Sequence, residues 1–416
     1  MSDNNDQNNQ GSLIQLLNNN GVNDEILVNK PQITYHRVVF RKHTNFSMTH
    51  SQIPLLCGSS KVKKKQSIGV FRVPWTGDLL HKLYITCPSK GVQHVDKLIQ
   101  NISFAIGGRI IDFHTGEWLK IDSELKHNEC TKFMEGRLKN KPDVFHITIP
   151  FSFSKNTGLA LPIIGIQKDK VDVIVTWGTE MDVGTEVECQ IYGQYVMLET
   201  DERRSFAQTS HEYLIERCNC IIDLPVQSEF DLGHIHSSVK ELIWTDSNSL
   251  THETATISFG GQNIVAPKNK EFYQLLQPSH HHTNIPEVNK DPKNKLKINN
   301  YSFALTPENH QPSGHCNFAD MKLKKTLKFS SEVKLNAIYN FSYAILKIQN
   351  GRATIPLESQ QDYDKYYIPN HKHIKYIAKN IDQIAKQIRN GKKFIPILTK
   401  MNLNYDMRKY IIHNFL

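Results

Sequence analysis

No stretch of about eighteen apolar residues occurs in the 416-residue chain, so no membrane-spanning helix is expected. Cysteine is sparse: seven residues, Cys57, Cys87, Cys130, Cys189, Cys218, Cys220 and Cys316, with no CxxC pair. An odd, scattered set argues against a disulfide framework and for reduced thiols in a cytosolic setting. GxSxG, HExxH, GxxxxGK[ST] and GxGxxG are all missing. Their absence removes the usual signatures of serine hydrolases, zinc proteases and nucleotide-binding proteins. The opening MSDNNDQNNQ has no basic segment ahead of an apolar one and is not expected to act as a secretory signal.

What is present is globular. Hydrophobic residues make up 39% and charged residues 22%, enough apolar material for two or three cored domains and too much for wholesale disorder. The formal net charge of +9 permits an acidic partner, yet it is spread along the chain. Its densest run, Lys61–Lys65, reads as a solvated loop between strands, and no specific nucleic-acid partner is expected.

The first 350 residues read as β. Short runs rich in Ile, Val, Phe, Tyr and Thr alternate with Gly, Pro, Asn and Asp clusters, and no helix of four turns interrupts them. Val171, Val173 and Val175 alternate with Asp172, Ile174 and Thr176, a period of two with one apolar slip at Ile174. Cys218 and Cys220, if on a strand, face the same side. Many short strands separated by turns predict a sandwich or barrel.

The chain also repeats itself. ISFAIGG at Ile102–Gly108 is echoed by ISFGG at Ile257–Gly261, and the acid–aromatic pair Glu117-Trp118 by Glu271-Phe272. HKLYI ending at Ile85 matches KELIW ending at Trp244, FSF at Phe151 matches YSF at Tyr301, and IYGQYVML from Ile191 matches IYNFSYAIL from Ile338. The offsets shrink in order, 159, 155, 150 and 147 residues, as expected of a duplicated β domain whose second copy has shorter loops. The seam is expected near ETDERRSFAQTSHEYLIE, Glu199–Glu216.

Three clusters invite a chemical reading. LTPENHQPSGHCNF, Leu305–Phe318, could be a metal site, a cysteine–histidine pair or a rigid turn; Pro307, Pro312 and Gly314 favour the turn, leaving Glu308, His310 and His315 on a loop. His280–His282 is the best metal candidate, but consecutive strand residues face opposite ways, and a polar loop is the simpler reading. Asp201, Glu202, Arg203 and Arg204 could be an acid–base cluster; alternating signs favour a salt-bridged linker. No catalytic, cofactor-binding or metal-ligating residue is assigned, and no cofactor is expected.

Several long blocks resemble the major capsid proteins of nucleocytoplasmic large DNA viruses. They are Gly11–Met48, GGRIIDFHTGEWLKI (Gly107–Ile121), LPIIGIQ (Leu161–Gln167), Glu199–Glu216, VKELIW (Val239–Trp244), YSFALTPENHQPSGHCNF (Tyr301–Phe318) and a fading match at Asn340–Gly351. The resemblance implies an all-β double jelly roll, two tandem eight-stranded antiparallel sandwiches, with a short helical C-terminal extension. The corresponding divisions are an arm at 1–25, barrels at 26–218 and 219–351, and an extension at 352–416.

It implies a structural rather than enzymatic protein: a homotrimeric, pseudo-hexameric capsomer of an icosahedral virion shell, assembled in the host cytoplasm. The implied partners are its own copies, neighbouring capsomers and minor capsid proteins. A paralogous minor capsid or assembly protein is the alternative, and a jelly-roll enzyme or sugar-binding protein a further one. The resemblance puts Arg37, Arg41, Lys42 and His43 at the start of the first barrel, tying the arm to neighbouring structure. Sequons at Asn45, Asn101, Asn300 and Asn340 fall inside family blocks and are not expected to carry glycans.

The extension departs from the family pattern. Ile374, Ile377, Ile381, Ile384 and Ile388 step by three and four, one stripe of a helix capped by Asn370 and stopped by Gly391. Ala378 and Ala385 widen the stripe, and Lys375, Lys379, Lys386 and Arg389 lie off it. Such a helix either docks on its own or a neighbouring barrel, or reaches as a basic arm toward an inner membrane or scaffold protein.

Overall fold

The computed structural model describes residues 13–14, 16–17, 22–63, 67–92, 95–179, 186–222, 224–233, 235, 237–246, 254–290, 296–319, 323–355, 377, 379–384 and 386. Residues through Asn45 form one body and Phe46 onward a second. In the first, helix α1 (Val22–Val28) leads into an extended, exposed segment with local hydrogen bonds such as His43 Nδ1 to the Thr44 carbonyl. Arg37, Arg41, Lys42 and His43 are exposed there.

The second body opens with β1 (Phe46–Ile53), β2 (Leu55–Gly58), β3 (Lys61–Val62), β4 (Ile68–Arg72) and β5 (Leu79–Pro88). β6 (Ile99–Ile106), β7 (Arg109–Thr115), helices α2 (Gly116–Lys126) and α3 (Glu129–Met134), and β8 (Val144–Ile149) follow. The first barrel closes with β9 (Leu161–Pro162), β10 (Val171–Trp177), β11 (Val187–Glu188) and β12 (Gln190–Leu198). Its sheets have the orders β1-β12-β5-β8 and β2-β4-β10-β6-β7, with antiparallel pairing throughout. β3 and β11 form a small ribbon in which Lys61 and Lys63 lie near Glu186, so this part of the lysine run is a solvated edge.

Helix α4 (Thr200–Gln208) leads to β13 (His211–Ile222), β14 (Gln227–Asp231), β15 (Ser238–Asp246), β16 (Thr254–Phe259) and β17 (Gln262–Asn269). A π-type turn (Phe272–Leu276) runs into α5 (Gln277–His281), α6 (Glu287–Lys290) and β18 (Lys297–Ser302). β19 (Cys316–Asn317), β20 (Lys325–Val333), β21 (Leu335–Gln349) and β22 (Arg352–Thr354) complete the second barrel. Its sheets run β13-β21-β15-β18 and β14-β20-β16-β17.

The orders β1-β12-β5-β8 and β13-β21-β15-β18 are the same arrangement used twice, as the repeat predicts for a double jelly roll. The echoed Gly-Gly pairs turn equivalent hairpins, β6–β7 and β16–β17. Gly107, Gly108, Gly260 and Gly261 all have positive φ, from 55° to 83°, which the tight turn requires and a side chain would resist.

Each barrel buries its alternate residues. Phe104, Ile147, Val173, Val175 and Ile191 belong to the first core, and Phe230, Leu242, Ile257, Leu327 and Ile338 to the second. The first core does not stop at its own strands: Ile215 of β13, with Leu346 and Ile348 of β21, joins it. β13 pairs with β21 without a break from His211 to Ile222, across the expected 218/219 division. The seam therefore lies at α4, ahead of that strand. The 351/352 division is also displaced, because β22 adds to β21 and buries Ala353 and Ile355 in the first core.

Candidate functional site

The described residues converge most strongly where α2 of the first barrel meets the second. Thr115 caps α2 by accepting from the Trp118 amide at 3.1 Å, which starts the helix as β7 ends. Trp118, Ile121 and Leu125 then recur at three- and four-residue steps and share one face. That face packs on Cys218, Cys220, Ile243, Ile298, Ala337, Tyr339 and Phe341, the outward residues of sheet β13-β21-β15-β18. Cys218 and Cys220 do face the same side, as small apolar packing under a helix.

Polar contacts stitch the same seam. Arg217 is buried and donates through Nε to the Ile111 carbonyl at 2.8 Å, while the Cys218 amide donates to Asp112 at 3.2 Å. Thr245 donates to Glu117 at 2.7 Å, and Thr115 and Tyr339 share a 3.0 Å hydrogen bond. Asp112 and His114 lie 3.3 Å apart and fully buried; burial pushes the carboxyl up and the imidazole down, which favours a neutral pair.

Beside this seam lies a buried charge chain. Lys155 and Lys240 both donate to Glu216, and Lys240 also to the Pro307 carbonyl at 2.7 Å. His282 follows, with Nε2 3.2 Å from Glu241 and Nδ1 2.9 Å from Glu308; its side chain is wholly buried. Burial opposes charge on this imidazole, but the two carboxylates raise its pKa above the usual value. Burial likewise opposes ionisation of Glu241, yet His282, with Lys240 and Lys126, holds it at about 2. The result is a structural ion triad, since each charge is answered by a partner within the chain.

The loop clusters resolve accordingly. His280–His282 is not a polar loop: His280 and His281 end α5, and His282 turns inward. Glu308 lies on the expected proline turn but is not idle, because it anchors both His282 and the Thr283 amide, the latter at 3.1 Å. Gly314 has φ of +134°, and an added Cβ would sit 2.9 Å from the Phe303 carbonyl, so the turn needs glycine. His310 and His315 stay apart from the triad; His315 borders Tyr343 edge-on at 6.5 Å.

Among the described residues, no group of three or more His, Cys, Asp or Glu is arranged to hold a metal ion. None of the seven cysteines is in a disulfide. Arg203 of α4 pairs with Asp78 at 2.9 Å and Arg204 lies 3.9 Å from Asp201, so the linker is salt-bridged to the first barrel. Asn101, Asn300 and Asn340 are buried in strands, where no glycan fits.

The isoleucine stripe packs on the chain's own first barrel. Residues 379–384 are helical, Ile377, Ile381 and Ile384 are buried, and Lys379 and Lys386 are exposed. Ile377 and Ile381 join Cys57, Ile68, Val70, Ala105, Ile110, Phe113 and Ile174, the outward residues of sheet β2-β4-β10-β6-β7. Arg72, bound to Asp172 at 2.8 Å, also reaches Asp382 of this helix. Asn370, Ile374, Lys375, Ala378, Ala385, Ile388, Arg389 and Gly391 lie outside the described residues. Sequence reasoning missed α2 and His282 because both act through partners over a hundred or several tens of residues away; the Glu117-Trp118 echo was the available signal.

Comparison with known proteins agrees with this architecture. Residues 34–201 match the family described as major capsid protein N-terminus, and 224–354 match large eukaryotic DNA virus major capsid protein. The major capsid protein of Pyramimonas orientalis virus is 33% identical over 393 residues, covering 82% of this chain and 98% of that protein. The major capsid protein of Paramecium bursaria Chlorella virus 1 is 24% identical, covering 72% and 83%. Among solved structures, PBCV-1 VP54 superposes with a TM-score of 0.66 at 20% identity, over 78% of this chain and 99% of that one. The Faustovirus major capsid protein gives 0.58 at 9% identity, over 79% and 94%. The chain belongs to the family of major capsid proteins of large eukaryotic DNA viruses.

Proposed function

We propose that the protein is a virion structural protein that builds an icosahedral shell as a homotrimer with pseudo-hexameric outline, rather than an enzyme. One observation carries this reading: two barrels that repeat the strand order of one sheet pack together through α2, so three chains offer six similar wedges to a hexagonal lattice. Its domain division is an arm through Asn45, a first jelly roll from Phe46 to Leu198, a second from His211 to Ile355, and the extension.

Its partners in this reading are its own copies, neighbouring capsomers and minor capsid proteins, with assembly in the host cytoplasm. A membrane or scaffold contact through the extension would use Lys379 and Lys386, because Ile377 and Ile381 are already engaged by the barrel. Family similarity ends at residue 354, and the docked helix beyond it favours a second reading, a paralogous capsid protein with a specialised lattice position.

Light scattering of the purified protein tests the first reading: a trimer is expected, and a stable folded monomer at micromolar concentration would sink it. Copy number in purified particles separates the two readings, thousands of copies for a shell protein against tens for a specialised one.

A further inference from the structure

The two barrels treat one face differently. In the second barrel the outer face of sheet β13-β21-β15-β18 is covered by α2. In the first barrel the equivalent face, on sheet β1-β12-β5-β8, meets Phe206 of α4 only at its Val196–Leu198 end, and around Tyr84 and Tyr192 no helix covers it among the described residues. Strand registers align the two faces residue by residue. Tyr192 stands opposite Tyr84, as Tyr339 does opposite Ile243. His50 stands opposite Gln194, as Cys218 does opposite Phe341. His146 stands opposite Thr86, as Ile298 does opposite Thr245. Cys218, Ile243, Ile298, Tyr339 and Phe341 are all buried, whereas His50 and His146 are exposed and Tyr84 and Tyr192 half-buried.

The open face is organised. Tyr84 and Tyr192 stack with centroids 5.5 Å apart and planes at 12°, His50 bonds the Tyr84 hydroxyl at 3.2 Å, and His146 bonds Thr86 at 3.3 Å. Tyrosines, amides and histidines, with Lys82 opposite Gln194 as the exposed charge among them, suit a surface that is soluble before it docks and apolar enough to hold afterwards. The outward face of the second barrel's other sheet is different, carrying Lys324 and Lys328 around Glu229.

The repeat also supplies the matching knob. α2 follows the β6–β7 hairpin, and the Phe272–His281 helical segment follows the equivalent β16–β17 hairpin. Leu119 of α2 enters the first core, as Tyr273 enters the second; their neighbours Trp118 and Phe272 lie next in register, Phe272 half-buried against the edge of its own core. From Trp118 the stripe continues to Ile121; from Phe272 it continues to Leu275 and Leu276, which are 37% and 43% exposed on the chain alone.

We propose that Phe272, Leu275 and Leu276 of one copy dock on the Tyr84–Tyr192 face of a second copy, repeating between chains the α2 contact made within the chain. The repeat extends to the neighbouring polar contact: Glu117 accepts from Thr245 at 2.7 Å within the chain, and in the docked arrangement its counterpart Glu271 would accept from Thr86, the counterpart of Thr245. Such a contact joins two different patches, so it cannot make a twofold dimer and builds a ring when its rotation closes, as the trimer reading requires. The proposal rests on the trimer reading and adds to it the surface that holds the trimer.

The test is a cysteine pair in a Cys130→Ser background, Gln194→Cys with Phe272→Cys, because these positions correspond to Phe341 and Trp118, whose rings are 4.4 Å apart. Mild oxidation should give covalent dimers and trimers from the pair and none from either single variant. In parallel, Tyr192→Arg should weaken association at least tenfold while the barrels stay folded by circular dichroism. A sample trimeric by light scattering that neither cross-links nor responds to Tyr192→Arg overturns this face and leaves the trimer standing. A monomeric wild type overturns both.

Discussion

The indole of Trp118, from the first barrel, lies 4.4 Å from the ring of Phe341, from the second, and 5.7 Å from that of Tyr339. This contact makes two jelly rolls one rigid wedge, since Trp118 is buried only because the neighbouring barrel covers it. Trp118→Ala should cost about 3–5 kcal/mol, in the range of large aromatic deletions from cores. Scanning calorimetry should show one cooperative transition in the wild type and a lower or split transition in the variant. An unchanged single transition would mean that the barrels are coupled elsewhere.

His282 sits between Glu241 and Glu308 with its side chain fully buried, so pH dependence has a defined sign. Its raised folded pKa gives stability that is fully present below the unfolded value of 6.5 and is lost as pH rises through the folded value. Glu241 behaves oppositely: from 4.5 unfolded to about 2 folded, it contributes above 4.5 and loses that contribution as pH falls toward 2. His282→Gln should cost about 3–5 kcal/mol near pH 6, since it strands two buried carboxylates. The difference in melting temperature between wild type and His282→Gln should shrink toward pH 9. A constant difference would show that the imidazole is not charged in the folded protein.

The extension divides at Ile355. Removal of everything after Gly351 deletes β22 along with Ala353 and Ile355, which belong to the first core. It should destabilise the barrels themselves. Removal after Ile355 spares them but uncovers Ile68, Val70, Phe113 and Ile174, so melting should fall less and aggregation should rise. Equal melting of the two truncations would show that β22 contributes nothing.

Ile381→Asp places a carboxylate in the apolar contact with the first barrel, losing about 1.5–3 kcal/mol of burial before the charge penalty. Limited proteolysis should then release the extension faster, and recovery in virions should drop. Unaltered proteolysis would mean that the helix does not depend on this stripe.

The sequence by itself determined the strands, the duplication and the turns, because alternation, Gly-Gly hairpins and prolines act over a few residues. Even its one irregularity was informative: Val171, Val173 and Val175 point into the core, and Ile174 points outward under the C-terminal helix. Whether that helix would meet its own barrel, a neighbour or a membrane was open, since an apolar stripe states that it needs a partner but not which one. His282 was illegible for a related reason. The pKa of a histidine in a polar run is raised only when strand β15 and the proline loop bring Glu241 and Glu308 against it, contacts separated by 41 and 26 residues. Tertiary structure also decided the fate of the repeated faces. Tyr192 and Tyr339 occupy the same place in the repeat, but Tyr339 is buried and Tyr192 half-buried, because the helix that follows β7 of the first barrel, α2, lies on the Tyr339 face of the second.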